Sequence, residues 1–269
     1  MKNLLSVFIS GVILFYACNS SLENNVKTTD SLEQLLGLIR DSIYKYPAEP
    51  RLKYNLAIIY KNSGKYKEAL AVLDSMNIQP KDNPDPYLYF NYMFQKSELQ
   101  LLIGDTVNAI KTLEQFVMPG ELTQASLNLA NLYAETNNPK TIPFCDAIMK
   151  YDSAASAPEL NYFKAIYYYN TGEFEKAIKE LDESIRKDYN FLDAYMEKGR
   201  ILFNQEKYND AIKVYNLVLS VSSTFADAYY WKGKCQEALG QKEEAKLNYQ
   251  RAYGLDKTLT EAKEAAEKL

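Results

Sequence analysis

The chain has 269 residues, of which 47% are hydrophobic and 25% are charged, and its formal net charge is −4. This composition is close to the globular average, which excludes a disordered polyampholyte. The acidic balance argues against nucleic-acid binding, because phosphate contacts need dense lysine and arginine. With 10 glycines and 9 prolines, the chain also lacks the turn residues of a typical all-β protein.

The residue types that are missing restrict the chemistry further. There is no histidine, which removes Ser-His-Asp and Cys-His triads, imidazole general bases and zinc sites that use histidine. Cys18, Cys145 and Cys235 are too far apart in sequence for a CxxC motif. We interpret the last two as small buried apolar residues, and a disulfide between them stays open. We expect no cofactor and no metal.

The first predicted element, residues 1–17, is a targeting signal. Lys2 gives it a positive start, and an uncharged, mostly apolar run of 14 residues ends at Ala17. That run is shorter than the ~20 residues of a membrane-spanning helix. The junction with Cys18 resembles a bacterial lipoprotein signal, although two aromatic residues precede Ala17 where the motif prefers aliphatic and small ones. The resemblance implies cleavage before Cys18 and a lipid on that cysteine.

Two alternatives stay open for this segment, an ordinary secretory signal with a chance cysteine and a permanent N-terminal anchor. Residues 18–29 are polar and lack helical periodicity, so we expect a flexible tether to a lipid-anchored membrane attachment. In some bacteria an aspartate after the lipidated cysteine retains a lipoprotein in the inner membrane. Asn19 stands there instead, so the resemblance implies an outer-membrane lipoprotein of the cell envelope.

From residue 30 onward, the sequence repeats with a period of 34 residues. The tripeptide Asp-Ala-Tyr at 193–195 recurs at 227–229, and Gly199 recurs as Gly233. A period of this length is typical of stacked structural repeats. Further positions that share the step are Ala177, Ala211 and Ala245, and Leu181, Tyr215 and Tyr249.

These residues resemble the tetratricopeptide repeat, in which the first helix carries an aromatic residue and a glycine and the second helix an alanine and an aromatic residue. Tyr195, Gly199, Ala211 and Tyr215 occupy those positions in one unit. The resemblance implies an all-α fold over residues 30–269, a right-handed superhelical solenoid of antiparallel helix pairs. Small residues let paired helices approach closely there, which accounts for glycines that otherwise cost a helix about 1 kcal/mol each.

The array divides, in chain order, into a half unit, six units and a closing helix. Because each helix pair leaves an apolar face uncovered, neighbouring units must bury it. The fourth range below is a degenerate unit with a short turn. The predicted ranges are 30–47 for the half unit, about 50–83, 90–123, 124–157, 158–191, 192–225 and 226–259 for the units, and 260–269 for a polar capping helix.

In this family the first helices line the concave face, where positions 2, 5, 9 and 12 of each unit usually meet the partner. Here the groove is aromatic with sparse mixed charge, and it lacks the lysine, asparagine and arginine set that clamps a chaperone's carboxylate terminus. Such rings anchor an apolar peptide or helix, although each one can equally pack between helices. The candidate groove residues are Tyr162, Tyr169, Met196, Arg200, Phe203, Tyr230, Trp231 and Lys234, with acidic residues at position 2 in Glu159, Asp193 and Asp227.

The sequence therefore predicts a membrane-anchored protein–protein interaction adaptor or scaffold. Its partners would be other envelope proteins, bound through a peptide or helix during envelope assembly or secretion. Glycan binding is the alternative, since rings stack on sugars, but the chain lacks the long insertions of tetratricopeptide lipoproteins with that role. An enzyme is the least favoured reading, because the carboxylates have the spacing of solvated helix faces and no phosphate loop or nucleophile elbow is present.

Overall fold

The computed structural model describes residues 29–76, 78, 86–118, 120–151 and 157–269. Within these ranges the chain forms fourteen α-helices and no β-strand. The predicted signal peptide and the predicted lipidation site, Cys18, lie outside the described residues. Among the helices that are described, none combines the length and the apolar character needed to cross a membrane.

After α1, the helices alternate as first and second members of successive pairs. We call α2, α4, α6, α8, α10 and α12 first helices, and the helix that follows each of them a second helix. Their bounds are α1 Thr29–Lys45, α2 Pro50–Asn62, α3 Tyr66–Asp74, α4 Pro86–Leu102, α5 Thr106–Glu114, α6 Gln124–Glu135, α7 Thr141–Tyr151, α8 Pro158–Asn170, α9 Phe174–Lys187, α10 Leu192–Asn204, α11 Tyr208–Val221, α12 Ala226–Ala238, α13 Lys242–Leu255 and α14 Thr260–Lys268.

The chain divides into two compact units, Met1–Ala109 and Ile110–Leu269. In the first unit, α2 packs against α1, α3 and α4, and α3 packs against α4. In the second unit, each helix from α6 to α14 packs against the next one, and α6 and α10 also contact the following first helices, α8 and α12. The all-α class and the repeated packing of helix pairs, as predicted from the sequence, are confirmed.

The 34-residue period has a direct steric cause. A side-chain carbon on Gly199 would lie 2.5 Å from the ring of Tyr215, and one on Gly233 would lie 2.9 Å from the ring of Tyr249. Both tyrosines are almost fully buried. The glycine of each first helix therefore makes room for the aromatic ring of its paired second helix, and this contact recurs one repeat later.

The turn between paired helices needs a residue in the left-handed region. Gly172 takes this conformation between α8 and α9 with a φ of 82°, which glycine adopts without strain. Between α10 and α11 the corresponding residue is Glu206, with a φ of 60°. The turn geometry is therefore kept even where the sequence offers no glycine.

The two cysteines within the described residues are buried and free. Cys145 belongs to the core around α6, α8 and α9, and Cys235 belongs to the core around α10 and α11. The disulfide that the sequence left open is therefore not formed. Burial raises the pKa of each thiol to about 12, which keeps both side chains protonated and unreactive at neutral pH.

Candidate functional site

All eight candidate groove residues lie on first helices of the second unit, namely α8, α10 and α12. Side chains three or four residues apart share one side of a helix, which aligns Met196, Arg200 and Phe203 along α10. The 34-residue period then places equivalent positions on neighbouring first helices. We call the surface formed by these side chains of α6, α8, α10 and α12 the first-helix face.

Three rings and one lysine form the most open part of this face, which we call the aromatic cluster. It consists of Phe203, Tyr230, Trp231 and Lys234, all half-buried. The ring centres of Phe203 and Trp231 are 5.6 Å apart and those of Tyr230 and Trp231 are 5.9 Å apart, both in edge-to-face orientation. Such pairs are favourable beyond the area that they bury, so the rings hold one another in place.

Lys234 lies among these rings. Its Nζ atom is 5.0 Å from the ring centre of Trp231, 5.6 Å from that of Phe203 and 5.7 Å from that of Tyr230. No carboxylate of the described residues forms an ion pair with it. Ring faces therefore stabilise the ammonium by cation–π contacts, and the aromatic cluster combines apolar surface with one positive charge.

Rings from second helices support the aromatic cluster. The ring centre of Tyr208 is 5.3 Å from that of Phe203, and the ring centre of Tyr249 is 5.8 Å from that of Tyr230. The Tyr249 hydroxyl also donates a hydrogen bond of 2.5 Å to Glu237. The cluster is thus fixed from behind, and these supports were not among the residues predicted from the sequence.

Arg200 connects the aromatic cluster to a second group of residues. Its guanidinium carbon lies 5.7 Å from the ring centre of Trp231. Its Nη1 atom lies 2.6 Å from Oε1 of Glu197, one turn earlier on α10. The positive charge of Arg200 is therefore already balanced by a carboxylate of this chain.

The second group, which we call the carboxylate cluster, consists of Glu135, Tyr162, Asp193 and Glu197. Asp193 and Glu197 are one turn apart on α10, Glu135 ends α6, and Tyr162 lies on α8. Burial raises the carboxyl pKa of all three acids. Glu135 keeps contact with solvent and accepts a hydrogen bond from Asn131. Asp193 is half-buried and has no hydrogen bond or ion pair with any residue that the structure describes.

Tyr162 lies at the centre of this group. Its side chain is only 9% exposed, and its ring packs edge-on against Phe191, with 5.4 Å between ring centres. Burial raises the pKa of its hydroxyl, and the charges of Glu197 and Asp193 raise it further. Those electrostatic interactions show that the hydroxyl faces the carboxylates, although it forms no hydrogen bond with any of the described residues.

The remaining candidates contribute less open surface. Met196 is 8% exposed and packs in the core around α10 and α11. The hydroxyl of Tyr169 accepts a hydrogen bond of 2.9 Å from Asn204, and its ring packs against Phe174. Five of the eight candidates, those of the aromatic cluster together with Arg200, therefore meet in one place. Tyr162, Tyr169 and Met196 serve mainly as packing residues beside it.

Profiles of known families match three parts of the chain, residues 52–87, 199–240 and 226–259, under the descriptions "TPR repeat" and "Tetratricopeptide repeat". The fold is similar to the crystal structure of a tetratricopeptide repeat protein from Parabacteroides merdae. That likeness has a TM-score of 0.64 at 20% identity and covers 88% of this chain and 92% of the other. The chain is therefore a tetratricopeptide-repeat protein. Proteins of this class are protein–protein interaction adaptors, and this chain is one by its repeats and fold.

Two curated relatives match over different lengths. The Hsp70-Hsp90 organizing protein of Triticum aestivum is 34% identical over 88 residues, which are 33% of this chain and 15% of that protein. A TPR repeat-containing protein of Methanocaldococcus jannaschii is 22% identical over 263 residues, covering 88% of this chain and 41% of that protein. The chain therefore spans less than half the length of either relative.

Proposed function

We propose that the protein is a membrane-anchored adaptor of a bacterial cell envelope. On this proposal, it holds a peptide or helix of a partner protein on the first-helix face of its second unit. The observation that carries the proposal is the aromatic cluster, in which three half-buried rings and an unpaired lysine meet on adjacent first helices. Aromatic residues that are well packed yet accessible are the usual anchors of protein interfaces.

The supports of the cluster favour binding for a further reason. A surface whose side chains are already fixed loses little conformational entropy when a partner arrives. Tyr208 and Tyr249 hold Phe203 and Tyr230 from behind, and Trp231 packs against the core around α10 and α11. The rings therefore present a prepared site for an apolar side chain, beside a cation that can meet a polar rim.

The relative from Triticum aestivum is named for organizing Hsp70 and Hsp90, which raises a chaperone tail as a partner. Binding such a carboxylate terminus in this family needs a set of lysine, asparagine and arginine side chains on the first helices. Here the only arginine of the site, Arg200, is paired with Glu197, and the rest of the cluster is aromatic. We therefore propose an apolar segment of an envelope protein as the partner.

The membrane anchor rests on the sequence of residues 1–18. Mass spectrometry of the protein from a bacterial host should find a chain that begins at Cys18 and carries lipid. The C18A variant should move from the membrane fraction to the soluble fraction, and the wild-type protein should separate with the outer membrane. An unmodified cysteine, or a chain that keeps Met1, would refute the anchor without affecting the binding proposal.

The binding proposal can be tested without knowing the partner. A random peptide library displayed on phage would be selected against the mature chain in detergent. The selected peptides would then be titrated against three proteins, with Trp231, the single tryptophan of the chain, as the fluorescent reporter. The variant F203A/K234A removes two members of the aromatic cluster. The control, L217A/L247A, removes apolar side chains of second helices that are 53% and 57% exposed.

We expect the peptides to bind the wild-type protein and the control alike, and to bind F203A/K234A at least about tenfold more weakly. Thermal unfolding would check the fold of the variant, and K234A alone provides a milder change if the double variant is unstable. Equal binding to all three proteins would place the site elsewhere. A library that yields no binder, together with binding on a glycan array, would instead favour the glycan-binding alternative.

A further inference from the structure

We propose that the carboxylate cluster binds a lysine or arginine side chain of the partner. The partner segment would then carry a basic residue beside the apolar residue that contacts the aromatic cluster. This inference rests on the proposed function, because it names the chemistry of the partner at the same face.

The first argument is the balance of charge. Three carboxylates, those of Glu135, Asp193 and Glu197, face Tyr162 together with one cation, Arg200. Arg200 is already paired with Glu197 at 2.6 Å. Asp193 is half-buried and has no hydrogen-bonding or ionic partner among the described residues. Because charges withdrawn from water are ordinarily paired, the cluster has room for one more positive group.

The second argument is the hydroxyl of Tyr162. The side chain is nine-tenths buried, and Phe191 holds the ring edge-on, so the hydroxyl cannot turn towards bulk water. Buried polar groups nearly always have a hydrogen-bond partner, yet this hydroxyl has none in the described parts of the chain. A phenolic oxygen and carboxylate oxygens all accept hydrogen bonds. A ligand that satisfies them must donate hydrogen bonds and carry positive charge.

A third argument comes from another part of the same unit. Nζ of Lys164 lies 3.0 Å from Oδ1 of Asp146 and 3.0 Å from Oε1 of Glu180. Glu180 also accepts a hydrogen bond from Asn161. There the chain fills the space between two acids with its own lysine. On the first-helix face the equivalent role is left open, and a basic side chain of the partner has the charge and reach to fill it.

The two clusters are continuous on the face, because Arg200 contacts both Glu197 and Trp231. One short segment can therefore meet both of them. A divalent cation is a poorer occupant, since within the described ranges no group of three or more acidic or cysteine side chains has an arrangement suited to a metal ion. The metal remains a defined outcome of the test below.

The test uses the peptides selected on the wild-type protein and the variant Asp193→Asn, which keeps the shape of the side chain and removes its charge. The matched control is Asp210→Asn, on the second helix α11, where Asp210 forms an exposed pair with Lys213. Each peptide would be titrated in two forms, with its basic residue intact and with that residue replaced by glutamine. Mg²⁺ and Ca²⁺ would be titrated separately.

We expect the selected peptides to share a lysine or arginine. Asp193→Asn should weaken their binding roughly tenfold, and Asp210→Asn should leave it unchanged. The glutamine peptide should lose a similar factor on the wild-type protein and lose little more on Asp193→Asn, because both changes remove the same contact. That non-additivity separates a direct contact from a general effect of net charge.

Three results would overturn this inference while leaving the proposed function intact. They are peptides that bind with no preference for basic residues, equal binding to Asp193→Asn and wild type, and a Mg²⁺ or Ca²⁺ ion that binds the wild-type protein but not Asp193→Asn. If no peptide binds the wild-type protein, or if F203A/K234A binds as tightly as wild type, the proposed function itself fails. The two proposals can therefore be judged separately.

Discussion

Two groups of acidic residues in the second unit differ in how their charge is balanced. In the first, Asp146 and Glu180 share Lys164, each with an oxygen 3.0 Å from its Nζ atom. In the second, the carboxylate cluster of the first-helix face, the only nearby cation is Arg200, which is paired with Glu197. The balanced group is part of the packing between helices. The unbalanced group is a property of the surface, and it is available to a ligand.

The difference follows from which helices supply the acids. Asp146 and Glu180 lie on the second helices α7 and α9, so that Lys164 of α8 reaches both of them between paired helices. The three acids of the carboxylate cluster lie on the first helices α6 and α10. No second helix adds a cation to that side. The same repeat thus produces a satisfied interior and an unsatisfied face.

The largest expected effect comes from breaking the balanced group. The change Lys164→Met should lower the free energy of unfolding by about 2–4 kcal/mol, because it leaves Glu180, which is mostly buried, without its cation. Urea unfolding measures the change. The control is Lys213→Met at an exposed pair, where the loss should stay below about 1 kcal/mol. A similar small loss for both variants would show that the Lys164 group is not a structural element.

A steric change beside the carboxylate cluster should have the next largest effect. In Gly199→Ala, the added carbon would meet the buried ring of Tyr215 at 2.5 Å. We expect a loss of about 1–3 kcal/mol in urea unfolding. The matched control is Gly254→Ala in α13, where the added carbon meets nothing within 4 Å. That variant should be unchanged or up to about 1 kcal/mol more stable, and equal losses in both would contradict the close approach of α10 and α11.

The smallest stability effect should have the opposite sign. Because burial raises the carboxyl pKa of Asp193, the folded state holds that proton more tightly than the unfolded state. Stability therefore rises as the pH falls from neutral towards the raised pKa. The change Asp193→Asn should make the free protein slightly more stable at neutral pH and flatten this pH dependence. Solvent screening keeps the gain to a fraction of the effect of Lys164→Met.

Unfolding of the wild-type protein and Asp193→Asn across pH 4–8, taken as a difference, cancels the contributions of acids that are unchanged between the two. A variant that is less stable than wild type at neutral pH would show that a different interaction dominates. The candidate would be the favourable position of a negative charge in the first turn of α10. Asp193 would then be a helix-stabilising residue with no need of a ligand.

The sequence predicted the fold because its cause is local and recurs. Gly199 and Tyr215 meet within one helix pair, and Gly233 and Tyr249 repeat the contact 34 residues later. The face residues were predicted from their repeat positions alone. Their exposure was not predictable in this way, because Tyr162 and Tyr230 share a position although Phe191 covers only the former. The signal peptide and Cys18 stay predictions.

The carboxylate cluster depends on facts that the sequence does not contain. Glu135 belongs to the degenerate unit, so its approach to Tyr162 depends on how α6 packs against α8. The spacing of Asp193 and Glu197 places both on one side of α10. However, the sequence does not tell which of them Arg200 will pair with, and that choice leaves Asp193 alone. Pairing between long side chains is decided by packing rather than by spacing.

The most direct test of the unbalanced face is an NMR titration of the aspartate and glutamate carboxyl carbons in the free protein. We expect Asp193 and Glu197 to titrate above the ordinary range, because burial raises both pKa values. Asp210 and Asp256 should titrate below it, because hydrogen bonds from Lys213 and Thr258 lower theirs. If Asp193 titrates at or below the ordinary aspartate value, a cation of the chain already balances it, and the face has no place for a basic side chain of a partner.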